Sequence, residues 1–579
     1  MDILLDAYAA RSCPVKTQNQ YDPTLTQPEA LVDEALTELF AGGKAFEDDM
    51  LAAICRRSEV LDLRPQAHLG RQFVIEATLA ALAAGEQIIV GGRLPVDPVG
   101  GRRGQADLLV RGPDRSDGRP GYAPVEVKRH RVLEQAAPEV GLRFSRLEAP
   151  GWADGEELMG WTFKPSRDQD LLQVAHYWRL LDATGHAAEV PLAGVIGTDI
   201  LRPHATEPVV SWVELTRKFL RTFSRTALTG WALRSPLERY DHEFGFRMKV
   251  AERASKRTGG PGDPRQMVQP IVVRECEHCI WWEVCKPQLD DDDLSLRINK
   301  SPLDVREISV LRHHGINTLA DLASADVEGM MEAYLPEVAH RQGADHRLRL
   351  AARRAALMLS GVELERLTAD PIELPESDLE IDFDIETSAG DRVYLWGFLV
   401  HDRFSDADPW YHEVSSFTDL DNDSEVALAR RAIMWLDQLL SERPGMKVYH
   451  YSDYEVVHLM RLARRSDDPD LVAAAKRVRG SFVDLFLLIK QHFFGTNGLG
   501  LKVVARSGAG FEWRDDDPGG LNSQRWFSDA VHGSDALARA EARRRVLEYN
   551  EDDVRATHQL RQWLRSLEGT DISTPADPE

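Results

Sequence analysis

Between Leu379 and Glu386 every second residue is an acid. Leu379, Ile381, Phe383 and Ile385 alternate with Glu380, Asp382, Asp384 and Glu386. This is the side-chain period of a β-strand, which sends four apolar groups to one face and four carboxylates to the other. An acidic strand face ordinarily looks at water. Here a thoroughly apolar second strand, Val393 to Val400, follows at once and argues for an interior position. Near the other end of the chain Val546, Tyr549, Asp553, Thr557, Leu560 and Leu564 recur at helical spacing. Asp553 therefore stands on the stripe that a helix buries, where an aliphatic side chain is expected. A buried carboxylate requires a cation or a proton.

Tyr549 lies one turn before Asp553, so a phenol sits beside that carboxylate. Between the strand and the helix, Lys447 to Val457 reads as a strand followed by a helix, with Glu455 as a third acid. Ser452 and Glu455 also have capping-box spacing, which gives Glu455 a purely structural alternative. Asp453 competes with it, and Asp484 in Phe482-Val483-Asp484-Leu485 is a further acid read as structural. The whole resembles the Y-x3-D form of DEDD-type 3′–5′ exonucleases, and best the YprB-like RNase H-like domain found behind RecB-like nucleases in bacteria. The resemblance covers about 376 to 567. It implies that Asp384, Glu386, Glu455 and Asp553 hold two Mg²⁺ or Mn²⁺ ions and that Tyr549 orients the attacking water. Where that family has an aromatic residue followed by Asp, this chain has Tyr454-Glu455.

A second set of acids lies upstream. Gln105 to Arg111 reads as a strand opened by Asp107, and Tyr122 to Arg129 as its hairpin partner. There Glu126 and Lys128 alternate with Val125 and Val127, so carboxylate and ammonium share one face. Two carboxylates and a lysine suit hard, oxygen-bound cations and phosphodiester hydrolysis. On the helical stretch around Asp170 to Leu181, Gln173 and Tyr177 share a face. Cys276, Cys279 and Cys285 form a C-x2-C-x5-C cluster, with Cys13 far upstream, while Cys55 sits in an apolar helical pattern. Three clustered thiols and one remote thiol can hold an iron–sulfur cluster or a structural zinc ion.

The order of these residues resembles the four-cysteine, RecB-like branch of the PD-(D/E)xK nucleases over roughly residues 1 to 290. The resemblance implies a restriction-endonuclease-like fold with Asp107 and Glu126 as metal ligands. It gives Lys128 the role of nucleophile orienter or charge stabiliser, and Gln173 and Tyr177 a positioning role. It also implies a 4Fe-4S cluster on Cys13, Cys276, Cys279 and Cys285 in preference to Zn²⁺. That family carries a further metal-binding histidine on its first helix. Here Phe73 falls near its place, and Glu76 is taken as the substitute ligand ahead of His68.

Between the two lies a helical segment, about 295 to 365, in which His314-Gly315-Ile316-Asn317-Thr318 looks like half of a helix–hairpin–helix unit with Thr318 or Asn317 as cap. Arg347, Arg349, Arg353 and Arg354 suggest a basic helix face there. Asp290 to Asp293 reads as a solvated linker, and 568–579 as a disordered tail. The expectation is an α/β chain of three domains, 1–290, 295–365 and 376–567.

The net charge of −24 argues against a coat that binds nucleic acid by bulk charge. There is no phosphate loop for an ATP-driven motor and no apolar run of membrane-spanning length, and the opening Met1-Asp2-Ile3-Leu4-Leu5-Asp6 gives no expectation of a signal peptide. The reading is therefore a cytoplasmic, metal-dependent nuclease acting on DNA or RNA, with single-stranded ends as substrate, a role in repair or processing and a separate helicase as partner. Its rivals are a non-cleaving adaptor and an iron–sulfur redox protein.

Overall fold

A computed structural model of the protein describes residues 3–28, 34–57, 59–201, 203–224, 226–227, 229–297, 303–405, 407–516 and 519–567. The expected tail, 568–579, lies outside them. The described residues form two compact units, one of 3–297 and 303–352 and the other of 353–567. No helix among them is long and apolar enough to cross a membrane.

The first unit is built on an eight-stranded sheet. Its order is Leu61–Asp62, Ile88–Val90, Leu108–Arg111, Tyr122–Val127, Leu192–Ile200, Pro208–Glu214, Gly141–Arg146 and Glu156–Met159. Strand Tyr122–Val127 pairs antiparallel with Leu108–Arg111 and parallel with Leu192–Ile200. A parallel neighbour requires a crossover, and helix Asp168–Thr184 supplies it. All six residues of Tyr122–Val127 are buried. Val125 and Val127 enter an apolar cluster with Leu108, Ile196 and Val210, which leaves Glu126 on the face toward the crossover helix.

The helices Val305–His313 and Leu319–Ala323 belong to this first unit. Gly315 turns the chain between them at φ +82°, and the Thr318 hydroxyl caps the second by accepting from Asp321 N at 3.1 Å. The expected basic face is not free. Arg347 pairs with the buried Glu307 at 2.8 Å, Arg349 with Glu328 at 2.6 Å and Arg353 with Glu365 at 2.5 Å. Arg354 is buried and donates to Gly495 O. Each guanidinium has a partner from a distant stretch of chain, which a run of arginines in sequence cannot reveal. Asp293, expected in a solvated linker, is likewise buried and bonded to Arg312 at 2.8 Å.

The second unit carries a five-stranded sheet in the order Trp410–Ser415, Val393–Asp402, Leu379–Thr387, Lys447–His450 and Phe482–Asp484. The first two pairings are antiparallel and the last two parallel. Leu379, Ile381, Phe383 and Ile385 pack on one face with Leu428, Ile433 and Leu459 from the covering helices. At about 1.5–3 kcal/mol for each such side chain, this burial fixes the strand's facing. The opposite, acidic face lies under helix Ala536–Ser566. Gly397, across from Asp384, makes that approach feasible, because a Cβ there would come within 1.6 Å of Asn550 Oδ1 on the helix.

Candidate functional site

The strand and the long helix match in pitch. Two strand residues advance about 6.8 Å and four helix residues about 6 Å, so the acids of Leu379–Thr387 meet one stripe of Ala536–Ser566 in turn. Arg565 Nη2 reaches Glu380 at 2.6 Å. Arg561 binds Asp382 through Nε at 3.0 Å and Nη2 at 2.8 Å and also contacts Glu380, and His558 Nδ1 lies 3.0 Å from Asp382. Burial pushes Asp382 up, but Arg561 and His558 more than offset it and hold the acid below its ordinary value.

The pattern reverses at the other two acids. Opposite Asp384 and Glu386 the stripe offers Asp553, and one ligand oxygen from each of the three lies within 4.8 Å of the others. Glu386 and Asp553 are buried and Asp384 partly so. Like charges at that separation repel by about 3 kcal/mol per pair in a protein environment. Burial, with Asp553 next, pushes Glu386 up to about 8, and burial with Glu386, Asp553 and Glu455 raises Asp384 strongly. Burial also raises Asp553. Neutral donors orient these oxygens. Asn550 Nδ2 donates to Asp384 at 2.8 Å, Ser523 Oγ to Glu386 at 2.5 Å and Trp513 Nε1 to Asp553 at 2.7 Å.

Glu455 is buried, and its Oε2 has no hydrogen-bond partner among the described residues, His450 Nδ1 being 3.6 Å away. It caps no helix, since Tyr454–Arg465 starts without a side-chain cap. Its charge reaches Asp384, though it stands outside the 4.8 Å group. Asp453 is exposed, and Asp484 caps helix Leu485–His492 by accepting from Phe486 N at 2.9 Å. Tyr549 is buried beside the triad, and Lys502 Nζ donates to its hydroxyl at 2.6 Å. An all-oxygen donor set with an orphaned buried carboxylate oxygen fits Mg²⁺ or Mn²⁺.

In the first unit Asp107 Oδ2 accepts from Val127 N at 2.8 Å, across the hairpin. Glu126 Oε2 receives Lys128 Nζ at 2.8 Å and Gln173 Nε2 at 3.0 Å, and Gln173 Nε2 is 3.2 Å from Tyr177 OH. Gly104 admits the Tyr177 ring, which would lie 2.7 Å from a Cβ at that position. Burial raises both Asp107 and Glu126, with Glu126 and then Glu47 adding to the rise at Asp107. Glu47, on helix Glu34–Arg57, was missed in sequence. Its clue is its place between Phe46 and Met50, which pack on the apolar cluster beneath the site. Glu76 is exposed and bonded to Gln72 at 2.9 Å, and no described contact brings it to Asp107. His68 bonds to Pro65 O at 2.8 Å.

Cys13, Cys276, Cys279 and Cys285 line one small pocket with the buried Trp281. Burial first, then the other three thiols, pushes Cys285 up to about 11. Cys13 N donates to Glu275 at 2.9 Å and Asn19 Nδ2 to Cys285 Sγ at 3.5 Å, so the N-terminal stretch is held against the segment that carries the other three cysteines. Among the described residues no three of these thiols lie within 4.8 Å of one another. Cys55 stands apart, beside Asp62 and Arg64.

Residues 381–565 match the model of the RNase H superfamily. No curated protein and no solved structure matches the chain. The second unit thus carries an RNase H-like domain, a nuclease-type fold, and its buried acidic triad is placed to bind a divalent metal ion.

Proposed function

We propose that the chain is a metal-dependent nuclease with two active sites, one a DEDD-type 3′–5′ exonuclease site in the RNase H-like domain and the other a RecB-like PD-(D/E)xK site in the first unit. The observation that carries the proposal is the contrast along one strand. Glu380 and Asp382 are neutralised by arginines, whereas Asp384 and Glu386 meet a third acid, Asp553. Asp384, Glu386, Glu455 and Asp553 would hold Mg²⁺ or Mn²⁺, and such ions acidify water and steady the charge on a phosphate. Tyr549 orients the attacking water.

In the first unit Asp107 and Glu126 would be the ligands, with Glu47 better placed than Glu76 to assist them. Lys128 stabilises developing charge, while Gln173 holds Glu126 and Tyr177 in register. The hairpin and parallel crossover that assemble this set support the restriction-endonuclease-like reading. The four cysteines support a 4Fe-4S cluster over zinc, since tetrahedral Zn–S bonds of about 2.3 Å would draw the sulfurs to about 3.8 Å. The substrate is the single-stranded end of DNA or RNA, reached in repair or processing beside a separate helicase.

The test is cleavage of end-labelled single-stranded DNA and RNA by the full chain under Mg²⁺ and Mn²⁺. Asp384→Ala and Glu126→Ala should each remove one activity and together all of it. An intact chain that cleaves neither polymer would contradict the proposal.

A further inference from the structure

We infer that Lys502 belongs to the working site of the RNase H-like domain, holding the Tyr549 phenol in place and serving as the counter-ion that an incoming metal ion displaces. This rests on the nuclease reading of that site.

Lys502 Nζ donates to Tyr549 OH at 2.6 Å and stands 4.6 Å from the ring centroid. A phenol oxygen has one proton and two lone pairs. With the ammonium on one lone pair, the proton and the other lone pair remain for the acids and for water. Tyr549 and Asp553 lie close enough to shift each other's titration, and the positive charge of Lys502 acts on Asp384, Glu386 and Asp553 alike. One cation thus acts on three crowded carboxylates and holds the phenol hydroxyl beside them.

The local backbone does not favour a cation at this position. Lys502 lies in the first turn of helix Leu501–Ser507, behind Gly500, where the helix dipole disfavours a cation. The contrast with Arg561 is informative. Arg561 is fully buried and bound to Asp382 through two nitrogens, a fixed structural pair. Lys502 is only partly buried and ends in a compact charge on a mobile stem. A divalent ion among the same carboxylates would repel it, so lysine and metal oppose each other at the acids while the lysine keeps its hold on the phenol.

The two roles separate in one experiment. In the full chain carrying Glu126→Ala, Mn²⁺ binding is followed by electron paramagnetic resonance and cleavage by single-turnover kinetics. Lys502→Met should bind Mn²⁺ about tenfold more tightly, yet cleave at saturating Mn²⁺ about a hundredfold more slowly. Lys502→Arg should restore wild-type Mn²⁺ affinity and part of the rate. Unchanged or weaker Mn²⁺ binding by Lys502→Met would overturn the counter-ion role, and a rate within twofold of the parent would overturn the hold on Tyr549. If Lys502→Met does not fold, Lys502→Gln serves for both readings. A parent that binds Mn²⁺ but never cleaves would sink the nuclease reading, while the affinity comparison still decides the counter-ion role.

Discussion

Asp553 and Arg561 stand two turns apart on one face of one helix and meet the same β-strand with opposite charge. Arg561 closes an ion pair with Asp382, whereas Asp553 adds a third carboxylate to Asp384 and Glu386. This reversal divides a single acidic strand face into a structural half and a half that calls for a cation.

Metal-free protein should lose stability as pH rises. Glu386 is raised from 4.5 to about 8 by burial and by Asp553. A carboxyl raised on folding contributes stability that is complete below about pH 4.5 and is lost as pH climbs through about 8. Thermal unfolding in a chelator should give a lower midpoint at pH 8 than at pH 5. Added Mn²⁺ should recover the difference at pH 8, where the acids ionise against the metal.

Arg561 should be indispensable to folding. Arg561→Met leaves Asp382 buried without its main counter-charge and Glu380 with Arg565 alone, a loss of about 3–5 kcal/mol for a broken buried pair. Urea unfolding of the full chain should show it. A loss below 1 kcal/mol would mean that Arg565 and His558 suffice.

Glu47 and Glu76 can be told apart in a chain carrying Asp384→Ala, where the remaining cleavage reports the first unit. Glu47→Ala should slow it by about tenfold or more, an order typical of a lost charged partner at a reacting site. Glu76→Ala should leave it within twofold, since the side chain is exposed. The reverse ranking would restore Glu76 as the ligand.

The cysteines make a spectroscopic prediction. Anaerobically purified protein should carry iron and sulfide and absorb near 400 nm. Cys13→Ser should abolish the band and Cys55→Ser should not, because Cys55 lies with Asp62 and Arg64 away from the other four. Zinc in place of iron would refute the cluster.

The legible parts of this fold were those set by a short period. Alternation placed the acids of Leu379–Thr387 on one face, and helical spacing placed Tyr549 and Asp553 on one stripe. The charges that give that stripe its meaning were not legible, because nothing in the sequence pairs Arg561 and Arg565, beside Leu560 and Leu564, with Asp382 and Glu380. Glu455 was ambiguous for a similar reason, since the spacing that suits a capping box also suits a ligand, and only its burial and its orphaned oxygen separate the two. Glu47 and Lys502 reach their sites through tertiary packing of helices far away in sequence. Each leaves only a faint local trace, Glu47 in its place between Phe46 and Met50 and Lys502 as a cation in a helix's first turn. The basic face dissolved because Arg347, Arg349 and Arg353 pair with Glu307, Glu328 and Glu365 and Arg354 is buried against a backbone carbonyl, partners that the run of arginines does not reveal.

The most direct measurement of the central claim is anomalous diffraction from crystals of the full chain grown with Mn²⁺. Manganese should appear among the carboxylates of Asp384, Glu386 and Asp553, and be lost in Asp553→Asn while the strand order is kept. Crystals that show no manganese there, or the same manganese with Asp553→Asn, would contradict it.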